Sequence, residues 1–444
     1  MEKRIIQVQD KVPVSLLVPL SIQHMFAMFG ASVLVPFIFG MNPAVVLFMN
    51  GVGTLLFMLI TKGKAPAYLG SSFAFIAPVT ALIAKYGFAD GYSYALGGFV
   101  AVGFAGCILA LIIQKFGSDW INVVLPPAAM GPVVALIGLE LAGTAASTAG
   151  LFEQVSYNSV DGTDFFEKVI TPVDPTNVVI FLVTVAVAVL GTVLFRGFLS
   201  VIPILIAIVA GYLATFACGR LDFSSVVSAP LFSIPNFSVP HFKAEAIIML
   251  LPVLLVITSE HIGHQIVTSK VIEKDLIKDP GLHRSLLGDN LSTMLSGFIG
   301  SVPTTTYGEN IGVMAVTKVY SVRVIAGAAI LSIVCSFMGV LTELIKTIPN
   351  PVIGGISFLL YGMIGASGIR IMVDAKVNYG KARNLTLTSI IFVTGLSGVS
   401  FNFGGIQLKG MVLACVVGML LSLLFSIFDR LGIVNDKEEK DQID

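Results

Sequence analysis

Residues 12–61 run for fifty positions without an Asp, Glu, Lys or Arg, and His24 is the only ionisable side chain among them. A helix needs about 20 apolar residues to cross a bilayer, so this run holds two spans, broken near Asn42-Pro43. Residues 177–195 and 197–219 are two more uncharged runs, parted by Arg196. Of the 444 residues, 56% are hydrophobic and only 12% charged. A soluble chain needs a charged surface, so most of this one must face lipid. The formal net charge is zero, which gives no general attraction to nucleic acid.

Continued along the chain, this reading gives about fourteen membrane segments, several short or interrupted by Pro and Gly. The polar, basic start MEKRIIQVQDK shows no small-residue cleavage site after a short apolar core. The first span is therefore expected to be retained, with both termini cytoplasmic. Fourteen spans put 20 of the 26 Lys and Arg on the cytoplasmic side; Lys85, Lys168, Arg220, Lys243, Lys346 and Lys409 fall outside. That bias is the one expected of a cytoplasmic-membrane protein. The outer loop at residues 147–175 is acidic, carrying Glu153, Asp161, Asp164, Glu167 and Asp174. Cys107, Cys218, Cys335 and Cys415 lie in or beside apolar runs without metal-ligand spacing and read as small core residues.

The two halves of the chain resemble each other. Pro127-x3-Gly131-x6-Gly138 recurs as Pro351-x3-Gly355-x6-Gly362, and Gln23-His24 is matched by Glu260-His261. Gly63-x2-Pro66-x3-Gly70 is matched by Gly300-x2-Pro303-x4-Gly308, and Arg196-Gly197 by Lys409-Gly410. Seven spans per half is an odd number, so the second half enters the membrane from the opposite side. Such an inverted repeat is a mark of secondary transporters.

Two segments at equivalent places read badly as helix: Pro66-Ala67-Tyr68-Leu69-Gly70-Ser71-Ser72-Phe73 and Pro303-Thr304-Thr305-Thr306-Tyr307-Gly308-Glu309-Asn310. Pro, Gly and a run of β-branched Thr all disfavour helix. An apolar stretch too short to span alone follows each. The expectation is a short extended strand to mid-membrane, then a half-helix, in spans 3 and 10. Extended backbone survives there only if buried in protein or lining a cavity. The half-helix N-termini would present free N–H groups to a ligand's carbonyl oxygens.

Ionisable groups at membrane depth are functional by default. Glu260 and His264, four apart, share a helix face, and Glu309 opens the second half-helix. Glu140, Asp289, His24 and His261 read instead as interhelical hydrogen-bonding groups. Two carboxylates that accept N–H groups, with amides near Phe73 and Gly308 that donate to oxygens, suit a planar ring of alternating N–H and C=O groups. Uracil is such a ring. Phe73, Tyr307 and Tyr361 would supply its apolar walls.

The segment Glu309-Asn310-Ile311-Gly312-Val313-Met314-Ala315-Val316-Thr317-Lys318 resembles the signature of the nucleobase/ascorbate transporter family, [Gln/Glu/Pro]-Asn-x-Gly-x4-Thr-[Arg/Lys/Gly]. Thr305-Thr306-Tyr307-Gly308, Gln23-His24, Tyr68-Leu69-Gly70-Ser71-Ser72-Phe73 and Glu260-His261-x2-His264 extend the resemblance over about residues 14–430. It implies an all-α polytopic fold of 14 transmembrane segments in two inverted seven-span repeats. A core domain (residues 14–117 and 247–344; spans 1–4 and 8–11) moves against a gate domain (residues 118–219 and 345–430; spans 5–7 and 12–14). It implies binding by Glu260, Glu309 and the amides of Phe73 and Gly308. Ala31, Tyr307 and Tyr361 line the pocket, and Glu260, His264 and Glu309 take part in proton coupling. Family members of this kind are often homodimers through the gate domain. Glu at the first signature position resembles uracil members, whereas purine members usually carry Gln, which adds a donor. The expected activity is proton-coupled uracil uptake across a bacterial inner membrane, with the proton as coupling ion, no other cofactor and no enzymatic chemistry. The alternatives are a purine or xanthine permease of the same family, an anion transporter of similar fold, and an intramembrane metalloenzyme using His261 and His264. The last lacks H-E-x-x-H spacing and a third ligand.

Overall fold

The computed structural model describes residues 5–159, 166–197, 199–403 and 406–433. Lys3, Arg4, Asp161, Asp164, Lys437 and Lys440, used above for charge asymmetry, lie outside them. The fold is mostly helical. Among the described residues, eight helices are long and apolar enough to cross a membrane: Val14–Phe39, Pro43–Ile60, Phe88–Phe116, Pro127–Thr148, Pro175–Leu194, Ala244–Ile272, Asn350–Asp374 and Gly410–Leu431. Phe73–Tyr86, Pro203–Ala217 and Val322–Ser336 are apolar but shorter. Leu282–Ile299 buries Asp289, Asn290, Ser292 and Thr293, and so lacks the apolarity of its neighbours.

Local signals set several boundaries. The break expected at Asn42-Pro43 is a helix start: Asn42 Oδ1 accepts from Ala44 N at 2.9 Å and Pro43 takes the first turn, where its missing N–H costs nothing. Asp174 starts Pro175–Leu194 in the same way, accepting from Thr176 N at 2.9 Å.

Among the described residues, six strands form three antiparallel two-stranded ladders: β1 (Leu69–Ser71) with β4 (Thr304–Thr306), β2 (Gln154–Ser159) with β3 (Phe166–Thr171), and β5 (Ser400–Phe403) with β6 (Ile406–Lys409). The first ladder lies at the two broken segments, with Leu69 opposite Thr306, Gly70 opposite Thr305 and Ser71 opposite Thr304. All six of its residues are buried. Hydroxyls of flanking helices help satisfy its backbone. Leu69 N donates to Thr54 Oγ1 at 2.8 Å, Thr293 Oγ1 donates to the Thr304 carbonyl at 2.8 Å, and Ser72 N donates to the Pro303 carbonyl at 2.8 Å. Non-helical backbone away from water requires such partners.

Glycine permits close helix approach at two seams. A β-carbon at Gly106 would lie 1.8 Å from Asn290 Oδ1, which brings Phe88–Phe116 against Leu282–Ile299. A β-carbon at Gly138 would lie 2.0 Å from the Tyr361 carbonyl, and one at Gly368 2.3 Å from Ala135 N, which brings Pro127–Glu140 against Asn350–Asp374. Small residues at an interface let backbones approach where lipid supplies no hydrophobic drive for association.

Candidate functional site

The β1–β4 ladder aims two helix beginnings into one region. After β1, a single 3₁₀ turn at Phe73–Phe75 leads into the helix Ile76–Tyr86. After β4, the helix Gly308–Thr317 starts directly, with Glu309 in its first turn. The first N–H groups of a helix have no partner within it, so the amides around Phe73 and Gly308 are available as donors.

The helix Val253–Ile272 packs across both beginnings and brings Glu260, His261 and His264, all buried. Glu309 follows Gly308, which abuts His264, one turn from Glu260 on the same helix, so the two acids are brought to one region although 49 positions separate them in the chain. Glu260 Oε2 is buried without a hydrogen-bond partner, an arrangement that costs free energy until a donor meets it. His264 borders the second helix beginning: a β-carbon at Gly308 would lie 3.4 Å from His264 Nε2.

The three aromatic residues also converge. The Phe73 ring centroid lies 6.1 Å from that of Tyr307 and 5.9 Å from that of Tyr361, with rings near perpendicular at 81° and 87°. Edge-to-face pairs at this spacing are favourable, and all three rings are buried. The Tyr307 hydroxyl donates to the Ser71 carbonyl, fixing the ring across the ladder. Ala31 is joined to this group through its helix: it is buried in Phe29–Phe39, which packs on β1 and on the helix that carries Tyr361.

Behind Glu260 runs a polar chain that the sequence reading did not assemble. His264 Nδ1 lies 3.3 Å from Thr306 Oγ1, Thr306 Oγ1 lies 3.5 Å from His261 Nδ1, and His261 Nδ1 lies 3.6 Å from Asp289 Oδ2. Thr306 is its hinge. In the sequence Thr306 stood out only as a helix-disfavouring residue, and its alternation with Tyr307 was the available hint that it faces away from the aromatic walls. The remaining polar groups hold helices together, as expected. His24 Nδ1 pairs with Asn310 Oδ1, and Glu140 Oε2 accepts from Met411 N at 2.9 Å, at the start of Gly410–Leu431.

A sequence profile of the permease family matches residues 16–404. The uracil permease of Escherichia coli (strain K12) is 51% identical over 447 residues, covering 100% of both chains. The uracil permease of Bacillus subtilis (strain 168) is 43% identical, covering 92% of each. Among solved structures, the transmembrane domain of the cyanobacterial bicarbonate transporter BicA aligns with TM-score 0.59 at 15% identity, over 95% of this chain and 99% of that one. The murine solute carrier 26 family member A9 anion transporter aligns with TM-score 0.70 at 9% identity, over 95% of this chain and 69% of that one. At such identities these two show a shared fold alone. The profile match and the full-length relatives together place this chain in the permease family, as a multi-pass membrane transporter.

Proposed function

We propose that this chain carries uracil into the bacterial cell together with a proton, by alternating access. The observation that carries this reading is the meeting of Glu260 and Glu309 with two helix beginnings between aromatic walls. The acids accept ring N–H groups, and the amides of Phe73 and Gly308 donate to ring oxygens. Phe73, Tyr307 and Tyr361 hold the ring's faces and edges, with Ala31 behind them. An anion would meet two carboxylates here, which disfavours the cargo of the fold's bicarbonate-transporting neighbour. The full-length likeness to uracil permeases supports the pyrimidine over a purine.

Glu260, Glu309 and His264 serve the proton. Taking a carboxylate out of water disfavours its charge, so uptake of a proton and a ligand at this depth support each other. The hydrogen-bonded run from His264 through Thr306 to His261, with Asp289 3.6 Å beyond, gives that proton titratable neighbours within the same bundle.

Fourteen spans arise when Leu282–Ile299, Gly308–Thr317 and Ala382–Leu396 join the eight long and three shorter apolar helices. The packing supports an inverted repeat. Phe88–Phe116 packs on Leu282–Ile299 as Val322–Ser336 packs on Pro43–Ile60. Pro175–Leu194 packs on Pro203–Ala217 and Asn350–Asp374, as Ala382–Leu396 packs on Gly410–Leu431 and Pro127–Glu140. Spans 1–4 and 8–11 form the core domain and spans 5–7 and 12–14 the gate, through which two copies associate. Both termini and the Lys270 end of its helix face the cytoplasm.

Radiolabelled uracil uptake into proteoliposomes tests the function. With one proton per uracil, each unit of inward-directed pH gradient supports about tenfold accumulation. Protonophore is expected to abolish it, and accumulation indifferent to gradient and protonophore would reject coupling. Accumulation of radiolabelled xanthine, with none of radiolabelled uracil, would assign a purine cargo. Gly70→Ala tests the ladder's part in the site: the added β-carbon would lie 2.4 Å from Tyr307 Cε2. Overpacking of this kind costs about 1–3 kcal/mol, so displaced Tyr307 should weaken uracil affinity about tenfold, read as KM. An unchanged KM would free Tyr307 from any ligand-holding role.

A further inference from the structure

Among the described residues, one ion pair between separate helices joins the proposed core to the proposed gate; the other pair across that boundary, Lys346–Glu343, lies within the single helix Gly339–Lys346. Lys270, near the end of the helix that carries Glu260 and His264, donates from Nζ to the Asp374 carbonyl at 3.0 Å. The same ammonium lies 3.9 Å from Asp374 Oδ2. Asp374 is the last residue of Asn350–Asp374, the helix that carries Tyr361. Its carboxylate is also held within its own helix, 3.5 Å from Arg370 Nε. A cation at a helix C-terminus meets the unsatisfied carbonyls and the negative end of the dipole, so Lys270 is doubly matched to this place. The other ion pairs between separate elements stay within one body: Lys64–Asp279, Lys85–Glu245 and His261–Asp289 in the core, Arg220–Asp174 and Arg383–Asp429 in the gate.

The opposite face is different. There Ala77, Pro78 and Met249 meet Glu140, Lys409 and Met411 around a cavity of about 20 Å³, and among the described residues no ion pair crosses there between the two bodies. The two helices that bring Glu260 and Tyr361 to the ligand are thus tied at one end alone. Any rigid-body movement that opens the Lys270 end of these helices must pull Lys270 away from Asp374.

We propose that Lys270 and Asp374 form a latch that holds the cytoplasmic face of the ligand site shut, so that its release is part of inward opening. This rests on the alternating-access reading above. The latch adds to the cost of opening on one side, and so biases the empty carrier toward the state that accepts ligand from outside. An exposed pair makes a modest latch, suited to a contact that must break in every cycle.

Accessibility of a buried reporter tests it. Ile371 is buried against Gly263, where a β-carbon would lie 2.6 Å from Ile371 Cδ1. In a chain whose four native cysteines are replaced, Ile371→Cys is labelled by a membrane-impermeant maleimide from the cytoplasmic face of inverted vesicles. Met130→Cys, on the facing helix and also buried beside Gly263, serves as a second reporter. Lys270→Gln should speed labelling at either reporter about two- to fivefold, the range of an exposed ion pair. Lys270→Arg, which keeps charge and donors, should label at the parent's rate. Labelling of Lys270→Gln at the parent's rate, or equally fast labelling of Lys270→Arg, overturns the latch. Uracil uptake by the unsubstituted chain is scored separately, so a failure of the cargo assignment is not mistaken for a failure of the latch.

Discussion

Glu309→Gln is expected to lower uracil uptake about 10- to 150-fold, the range for losing a hydrogen bond to a charged group, while the carrier still folds. The side chain keeps its length and its place in the first turn of Gly308–Thr317. What changes is its chemistry. A carboxylate presents only acceptors, whereas Gln turns one of them into an N–H donor that faces the ligand's own N–H. The substitution also removes an acid that can take up a proton beside Glu260. Thermal unfolding in detergent should be unchanged or slightly raised without ligand, because an amide is cheaper to bury than a carboxylate. The stabilisation normally given by saturating uracil should disappear. Uptake at the parent's rate would take Glu309 out of the mechanism and with it the paired-acid account of the site.

Gly138→Ala should be as damaging by a wholly structural route. The added carbon would lie 2.0 Å from the Tyr361 carbonyl and 2.8 Å from Gly365 N. Both are backbone atoms, so no side-chain rotation relieves the clash. The helices Pro127–Glu140 and Asn350–Asp374 must part, and Tyr361 leaves Phe73 as they do. Overpacking costs about 1–3 kcal/mol where side chains can yield, and more where backbone must move. The expected result is loss of a monodisperse peak on size exclusion and a melting temperature lowered by several degrees. Gly362 is the matched control. It occupies the corresponding place in the repeated Pro-Gly pattern, but nothing lies within 4 Å of a β-carbon there, so Gly362→Ala should behave as the parent. Equal tolerance at both positions would show that this seam does not depend on close backbone approach.

The contrast between these glycines shows how far the sequence could be read. The repeat was visible as spacing, but not which glycine of each pair faces a partner, because that depends on helix rotation. The broken segments were legible because Pro and consecutive Thr work against helix. Their pairing was not, since three-residue strands carry no useful alternation and Leu69 meets Thr306 across most of the chain. Glu260, His264 and Glu309 stood out because charge is costly in an apolar run. Thr306, Thr54 and Ser71 did not, because a hydroxyl or a carbonyl in such a run is ordinary until its neighbour is known. His261 reads from the sequence as an interhelical hydrogen-bonding group, and in the structure it is directed to Thr306 and Asp289.

The ladder between β1 and β4 also bears on how the carrier is made. Leu69, Gly70 and Ser71 are synthesised long before their partners Thr304, Thr305 and Thr306, so during translation the first strand waits in the bilayer with an open edge. The amino-terminal portion alone therefore has no finished ligand pocket. Glu309 follows directly on the second strand and Tyr361 comes later still, on Asn350–Asp374, so the proposed pocket can be complete only after that helix has left the ribosome.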